Sequence, residues 1–199
     1  MSEPRELRAR GRNTKRRLLD AGAAVIATKG YHATRVDDVV KVAETSHGTF
    51  YLYFPNKEEL FRALAAEVAE EMQALAEALE PLHAGAPGRL RLQRWIRQFV
   101  DVYRRHGPVI RAWTEAEIGG SEFGRLGTDL LTQFTGVIVA RVAEVAPADL
   151  DPTIATLVLV AMLERLNYYA LTEQVRIEPD AIAETLARVT HAALFGGNA

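Results

Sequence analysis

The chain contains no cysteine. Disulfides and thiolate metal sites are thereby excluded, and the composition suits a reducing, cytoplasmic setting. Long apolar runs are missing too. The most apolar stretch, LVLVAML at 157–163, is far too short to span a bilayer, so no membrane partner is expected. No apolar stretch follows the basic N-terminus, which therefore does not read as a secretory signal. Hairpin signals are absent: there is no Asn-Gly or Asp-Gly pair and no sustained period-two alternation. Catalytic signatures are absent as well, with no His-Glu-x-x-His, no Gly-x-Gly-x-x-Gly and no Walker loop. Gly119-Gly120-Ser121-Glu122-Phe123 approaches a nucleophile elbow but lacks its last glycine and the strand before it. The five histidines show no ligand spacing. No metal, no cofactor and no enzyme activity are expected.

What is present is helix-forming sequence with an uneven charge. The net charge of the 199 residues is -2. Up to residue 57, however, eleven Lys/Arg face six Asp/Glu, whereas beyond it thirteen face twenty. A basic head on an acidic body points to a polyanion partner for the head, with a merely solvated basic arm as the alternative. The first residues, MSEPRELRARGRNTKRR, have almost no apolar content and are expected to be disordered up to a first helix starting at Asn13 or Thr14.

The periodicity predicts an all-α fold of about nine helices. Leu18, Ala21, Val25 and Ile26 share one face of the first helix, which should stop at Gly30. Thr34 is expected to cap a second helix reaching about Ala43. After a tight turn at Glu44-Thr45, a third helix spans Ser46 to about Tyr53. Asn56 is expected to cap a fourth, from Lys57 to about Glu80.

Two short helices joined by a tight turn form a helix-turn-helix, whose second helix enters the DNA major groove by its N-terminal residues. The sequence SHGTFYLYFPNKEELF (46–61) suits that task. Ser46, His47 and Thr49 are short donors or acceptors, and Gly48 lets the backbone come close. Phe50 and Phe54, four apart, can lock the helix onto its neighbours. Tyr51 and Tyr53 fall off that face, where their hydroxyls can reach phosphates; plain core packing is the other reading of these two rings.

Three ordered motifs now matter together: Leu18-Leu19-Asp20-Ala21, Lys29-Gly30-Tyr31-x-Ala33-Thr34, and Ser46-x-Gly48-Thr49-Phe50-Tyr51-x-Tyr53-Phe54-x-x-Lys57-Glu58-Glu59-Leu60-Phe61. Through them residues 12–61, about a quarter of the chain, resemble the DNA-binding domain of the tetracycline-repressor (TetR) family. The resemblance implies a homodimeric, ligand-responsive transcription factor, usually a repressor, on a near-palindromic double-stranded operator. It places groove contacts on Ser46, His47, Gly48, Thr49 and Tyr51, and phosphate contacts on Thr34, Arg35, Tyr53 and Lys57. In one respect the chain departs from the family pattern. Glu44 and Thr45 stand where the family usually has glycine and an aliphatic residue, which implies a less common turn geometry. An activator, or a regulator governed by a protein partner instead of a small molecule, remains an alternative.

The expected domains are residues 1–56 and 57–199, with the helix from 57 connecting them. HAGAPG at 83–88 reads as a loop. A fifth helix is expected from about Leu90 to Arg105, ended by His106-Gly107-Pro108, and a sixth holds Val109, Ile110 and Trp113. A seventh follows GGSEFGRLG (119–127) and reaches about Val145. Asp151-Pro152 and Glu178-Pro179 open the last two. The eighth is apolar nearly all round in its first half and must be covered on every side. Leu163 on it, with Ile182, Leu186, Val189 and Ala193 on the last helix, is expected to form a two-fold four-helix seam. The family resemblance puts an inducer pocket among the middle helices. There Trp95, Phe99, Tyr103, Trp113, Phe134, Met162, Asn167 and Tyr168 are the candidate lining, with ordinary core as the competing reading. Glu164-Arg165 is a charged pair inside an apolar helix.

Overall fold

In the computed structural model the described backbone covers residues 3–117, 122–172 and 176–196, and side chains are described over the same residues except 3–9, 113–117, 122–130 and 171. The described residues form eight helices and no strand: α1 (Glu3–Lys29), α2 (Val36–Val42), α3 (His47–Tyr53), α4 (Lys57–Glu77), α5 (Gly85–Glu117), α6 (Glu122–Ala143), α7 (Pro152–Leu171) and α8 (Pro179–Phe195). They fall into two compact units. The first, here called the reader, comprises Met1–Val68 with Pro108–Gly124; the second, the body, comprises Ala69–Gly107 with Arg125–Ala199.

Three expectations about boundaries are corrected. First, α1 begins at Glu3 and not at Asn13 or Thr14. Pro4 sits in the first turn, where it needs no hydrogen-bonded N–H, and the Glu, Leu, Arg and Ala residues after it are good helix formers. Thr14 therefore lies mid-helix, with its hydroxyl donating to the Arg10 carbonyl at 3.0 Å. Second, α5 starts at Gly85, inside the expected loop, and runs unbroken through Pro108. Gly88 lies within it, and a Cβ there would clash with the His83 carbonyl oxygen. Third, Pro108 removes one intrahelical bond but does not end the helix, so the expected fifth and sixth helices are one element and the count is eight. One of the three points at which the chain passes between the two units falls at this proline.

Other signals match. The Asp151 carboxylate accepts from the Thr153 and Ile154 N–H groups at 2.8 and 2.9 Å and so caps α7, with Pro152 as its first residue. The Asn56 side chain accepts from the Glu59 N–H at 2.8 Å and so caps α4. The α2 N-cap is Arg35, one residue past the expected Thr34.

The reader core is continuous across four helices. Leu18, Ala21, Val25 and Ile26 of α1 are buried with Val39 and Val40 of α2, Phe50 of α3, Phe54 at its end, and Leu60, Phe61, Leu64 and Val68 of α4. Burying each of the larger of these side chains contributes roughly 1.5–3 kcal/mol. Helices α1 and α4 approach closely at Gly22, where a Cβ would lie 2.7 Å from Leu60. In the body, residues of α5, α6, α7 and α8 are buried, including Ile96, Val100, Ile138, Val142, Leu159, Leu163, Ile182 and Leu186.

Candidate nucleic-acid interface and body cavities

The reader surface is built from a short helix that is held by its aromatic side. Phe50 and Phe54 are buried, with ring centroids 5.8 Å apart. Ser46 caps α3 by accepting from the Thr49 N–H at 3.1 Å, and its hydroxyl lies 3.0 Å from the Thr49 hydroxyl. The opposite side of α3 faces solvent: His47 and Gly48 are exposed, and Tyr51 is 55% exposed. Ser46, His47, Gly48, Thr49 and Tyr51 are thus brought together on one short element. His47 Nε2 pairs with the Asp37 carboxylate of α2. Tyr53 is half-buried, and a Cβ on Gly11 would lie 3.5 Å from its hydroxyl, so Tyr53 braces α3 against the N-terminal part of α1.

The turn before α3 explains the unusual Glu44. Its φ is +49°, in the left-handed region that favours glycine. The Thr45 N–H donates to the Val40 carbonyl at 3.0 Å, and the Glu44 N–H to the Lys41 carbonyl at 3.3 Å. These are the paired bonds of a Schellman cap, built here on a glutamate. Arg17 of α1 donates to the carbonyls of Ala43 and Glu44 and holds the strained turn in place. The less common turn geometry implied by the sequence is thus a glycine geometry kept by a non-glycine residue.

Two residues expected at phosphates are committed inside the protein. Thr34 is only 3% exposed, and its hydroxyl donates to the Gly30 carbonyl at 2.7 Å. Lys57 directs its ammonium to the carbonyls of Tyr31, His32 and Thr34 at 3.3, 3.3 and 3.1 Å, and it stands 4.9 Å over the Tyr31 ring. It therefore ties the α1–α2 loop to the start of α4 and is not a free cation. Burial, with the Glu58 charge adding to it, pushes the Tyr31 phenol up to about 12. Arg35 remains exposed, as do Arg12, Lys15 and Lys41, which the sequence reading did not single out. Their signal was positive charge beside the helix-turn-helix, which alone does not separate a phosphate contact from a solvated lysine. Lys29 is bound to Asp38 at 2.6 Å, and this contact holds the Asp38 carboxyl below its ordinary value.

In the body, four of the expected pocket residues form a chain of rings. Trp95 and Phe134 stack at 6.4 Å, Phe134 and Phe99 meet at 5.9 Å, and Phe99 and Tyr103 stack at 6.1 Å. All four are buried, and the Trp95 indole donates to the Leu75 carbonyl at 2.8 Å. Burial and the nearby Glu164 carboxylate push the Tyr103 phenol up, and its hydroxyl lies 3.4 Å from Glu164. Glu164 and Arg165 are 3.7 Å apart, and Arg165 lies over the rings of Tyr168 and Tyr169. Asn167 is buried and donates to the Leu163 carbonyl, while Met162 and Tyr168 are half-buried. The Trp113 side chain lies outside the described residues. A cavity of about 300 Å³ borders Trp95, together with Leu79, Leu82, Arg91 and Arg94.

The expected dimer seam divides. Leu163, Ile182 and Leu186 are buried within the chain, Leu186 at 2% exposure, and so they cannot form an outer face. Val189, at 49%, and Ala193 are exposed. On α7 the residues Ile154, Leu157, Val158 and Ala161 are exposed at helical spacing. The error was one of register: α8 is apolar on two sides, and periodicity does not say which side meets its own chain.

Among the described residues, no group of three His, Asp or Glu side chains could hold a metal ion, and no helix is long and apolar enough to cross a membrane.

Comparison with known proteins gives one consistent answer. Residues 18–64 match the model of the bacterial regulatory proteins of the tetR family. The chain is 26% identical to the HTH-type transcriptional regulator EthR of Mycolicibacterium smegmatis, over 96% of this chain and 91% of that one. It is 35% identical to the HTH-type transcriptional regulator YhgD of Bacillus subtilis, over 53% of this chain and 54% of that one. Among solved structures it resembles Salmonella enterica GusR, with a TM-score of 0.71 at 22% identity over 92% of this chain and 95% of that one. It also resembles Bacillus subtilis FadR in complex with stearoyl-CoA, with a TM-score of 0.68 at 19% identity over 89% and 97%. At those identities the structural likeness is one of fold.

Proposed function

We propose that this chain, whose residues 18–64 match the model of the tetR family of bacterial regulatory proteins, is a homodimeric repressor released from a near-palindromic operator by a small apolar or aromatic ligand. The observation that carries the DNA reading is α3: Phe50 and, at its end, Phe54 face inward, while Ser46, His47, Gly48, Thr49 and Tyr51 gather on the other side. Arg35, Lys41 and the exposed cations of α1 supply phosphate contacts around it.

The dimer uses the exposed apolar strip of α7, Ile154, Leu157, Val158 and Ala161, with Val189 and Ala193 of α8. Two such helix pairs across a two-fold axis make a four-helix seam, and burying the strip removes apolar surface from water at both copies. The ligand occupies the ring chain Trp95, Phe99, Phe134 and Tyr103, with Glu164, Asn167 and Tyr168 as its polar neighbours. Release requires only that the ligand bind the DNA-incompetent dimer better than the competent one. A coupling of about 1–3 kcal/mol changes operator affinity roughly 5–150-fold. Helix α4 continues from the reader into the body and is the element through which such a preference acts.

The test begins with selection of bound duplexes from a random pool by the full-length protein, which should recover an inverted repeat. Candidate ligands are then titrated into the complex. A long-chain acyl-CoA, the class held by the FadR structure, is the first to try. Tryptophan quenching accompanied by operator release supports the reading. Quenching without any change in operator affinity removes that compound as an inducer. Selection without an inverted repeat removes the dimeric repressor.

A further inference from the structure

We infer that Leu52 and Gly48 form an apolar notch on α3 that receives the 5-methyl group of a thymine, making Leu52 the residue that selects thymine at one position of each operator half-site. The inference rests on the DNA-binding reading above. Leu52 is 83% exposed, more than any other large apolar side chain described. The reader core gains nothing from it, because Phe50 and Phe54 already supply the buried side of this helix. A leucine held in water by a short rigid helix needs an external partner to be of use.

Gly48 supplies the other half of the notch. Its backbone is helical with an ordinary φ, and a Cβ there would meet only the Ser46 hydroxyl at 3.7 Å, an ordinary contact. Nothing inside the protein demands a glycine at this place. Glycine is also the poorest helix former short of proline, so the fold gives up helix stability for a bare patch of backbone. Leu52 follows four residues later. Helical side chains lean toward the N-terminus, so Leu52 covers the surface above Gly48. The result is an apolar step on a strip otherwise made of Ser46, His47, Thr49 and Tyr51.

In the major groove the thymine methyl is the apolar group that a base edge presents; the other edges offer hydrogen-bond donors and acceptors. An apolar step with bare backbone beside it fits that methyl and gains nothing from cytosine, which lacks it. The methyl should be worth about fourfold in affinity at one half-site, the value of one buried CH₂, and about 16-fold for a symmetric pair.

The experiment uses the full-length protein and the operator recovered by selection. Each thymine is replaced in turn by deoxyuridine, symmetrically in both half-sites, which removes the methyl and nothing else. The expected result is one position at which wild-type affinity falls by about 16-fold while that of Leu52→Ala does not change. Gly48→Ala should fold normally yet bind the same operator more weakly. If no thymine is sensitive, or if the sensitive one stays sensitive in Leu52→Ala, the inference is overturned. A uniform loss in Leu52→Ala on every sequence also overturns it, since Leu52 then packs on the sugar-phosphate backbone. Recovery of no preferred sequence would overturn the DNA-binding reading and this inference with it.

Discussion

The reader and the body are both helical, yet they spend their aromatic and aliphatic residues in opposite ways. In the reader the rings of Tyr31, Phe50, Phe54 and Phe61 turn inward and fix a seven-residue helix whose outer side carries short polar residues beside Tyr51 and Leu52. In the body the rings of Trp95, Phe99, Tyr103 and Phe134 also turn inward, but the outer side of α7 is aliphatic. A polar strip surrounded by cations is complete in water and gains further from phosphates and base edges. An aliphatic strip is incomplete in water and gains from a second copy of itself. The two surfaces therefore point to two different partners, DNA and an identical chain, and each can be tested without disturbing the other.

The sharpest contrast lies between α8 and α7. Leu186→Asp buries a charge without a partner and should cost about 3–5 kcal/mol, so that the body unfolds in a denaturant titration. Leu157→Asp with Val158→Asp places charges on the exposed strip. This variant should keep its helical circular dichroism and sediment as a monomer. If Leu186→Asp folds as a stable monomer and the α7 variant stays dimeric, the seam lies where the sequence first suggested.

Lys57 and Arg35 separate holding the reader together from holding DNA. Lys57→Ala removes a charged donor from three carbonyls and should lower reader stability by about 2 kcal/mol. It should leave the salt slope of operator binding unchanged. Arg35→Ala should do the reverse, keeping stability and reducing the slope by about one phosphate, roughly 0.9. Equal salt slopes in the two variants would return Lys57 to the phosphates.

Smaller effects follow from the turn and from Asp38. Glu44→Gly relieves a positive φ and should raise the stability of the reader by about 1 kcal/mol. Asp38 has a folded pKa held below its ordinary 3.8, chiefly by its hydrogen bond from Lys29. Its contribution is present above that value and is lost as pH falls through the folded pKa. Asp38→Asn should therefore lower reader stability slightly at neutral pH and leave it unchanged at the acid end, which flattens the acid limb.

Much of the reader was legible because its signals are local. Ser46, Asn56 and the Phe50–Phe54 spacing act within a turn or two of helix, and each does in space what its sequence position suggests. The carbonyl contacts of Lys57 were not legible because its partners lie 23 to 26 residues away, in a loop whose path the sequence does not give. Leu52 went unnoticed because an apolar residue within an aromatic run looks like core until its exposure is known. In the body, periodicity found the helices and their caps but not their sides. Pro108 suggested a helix end because proline usually makes one, at about 3 kcal/mol; here the helix continues through it with one intrahelical bond removed. Which side of α8 faces its own chain depends on the packing of α7, a tertiary fact.

The most direct test of the central claim, that α3 is a sequence-specific reader, compares two affinities of the full-length protein at one physiological salt concentration. One is for the selected inverted repeat, the other for a scrambled duplex of the same composition, both by fluorescence anisotropy. The account predicts a ratio of at least about 10³, the lower end for specific regulators. A ratio near one, with both affinities falling together as salt rises, would mean that the basic surface binds DNA as a polyanion and that α3 reads nothing.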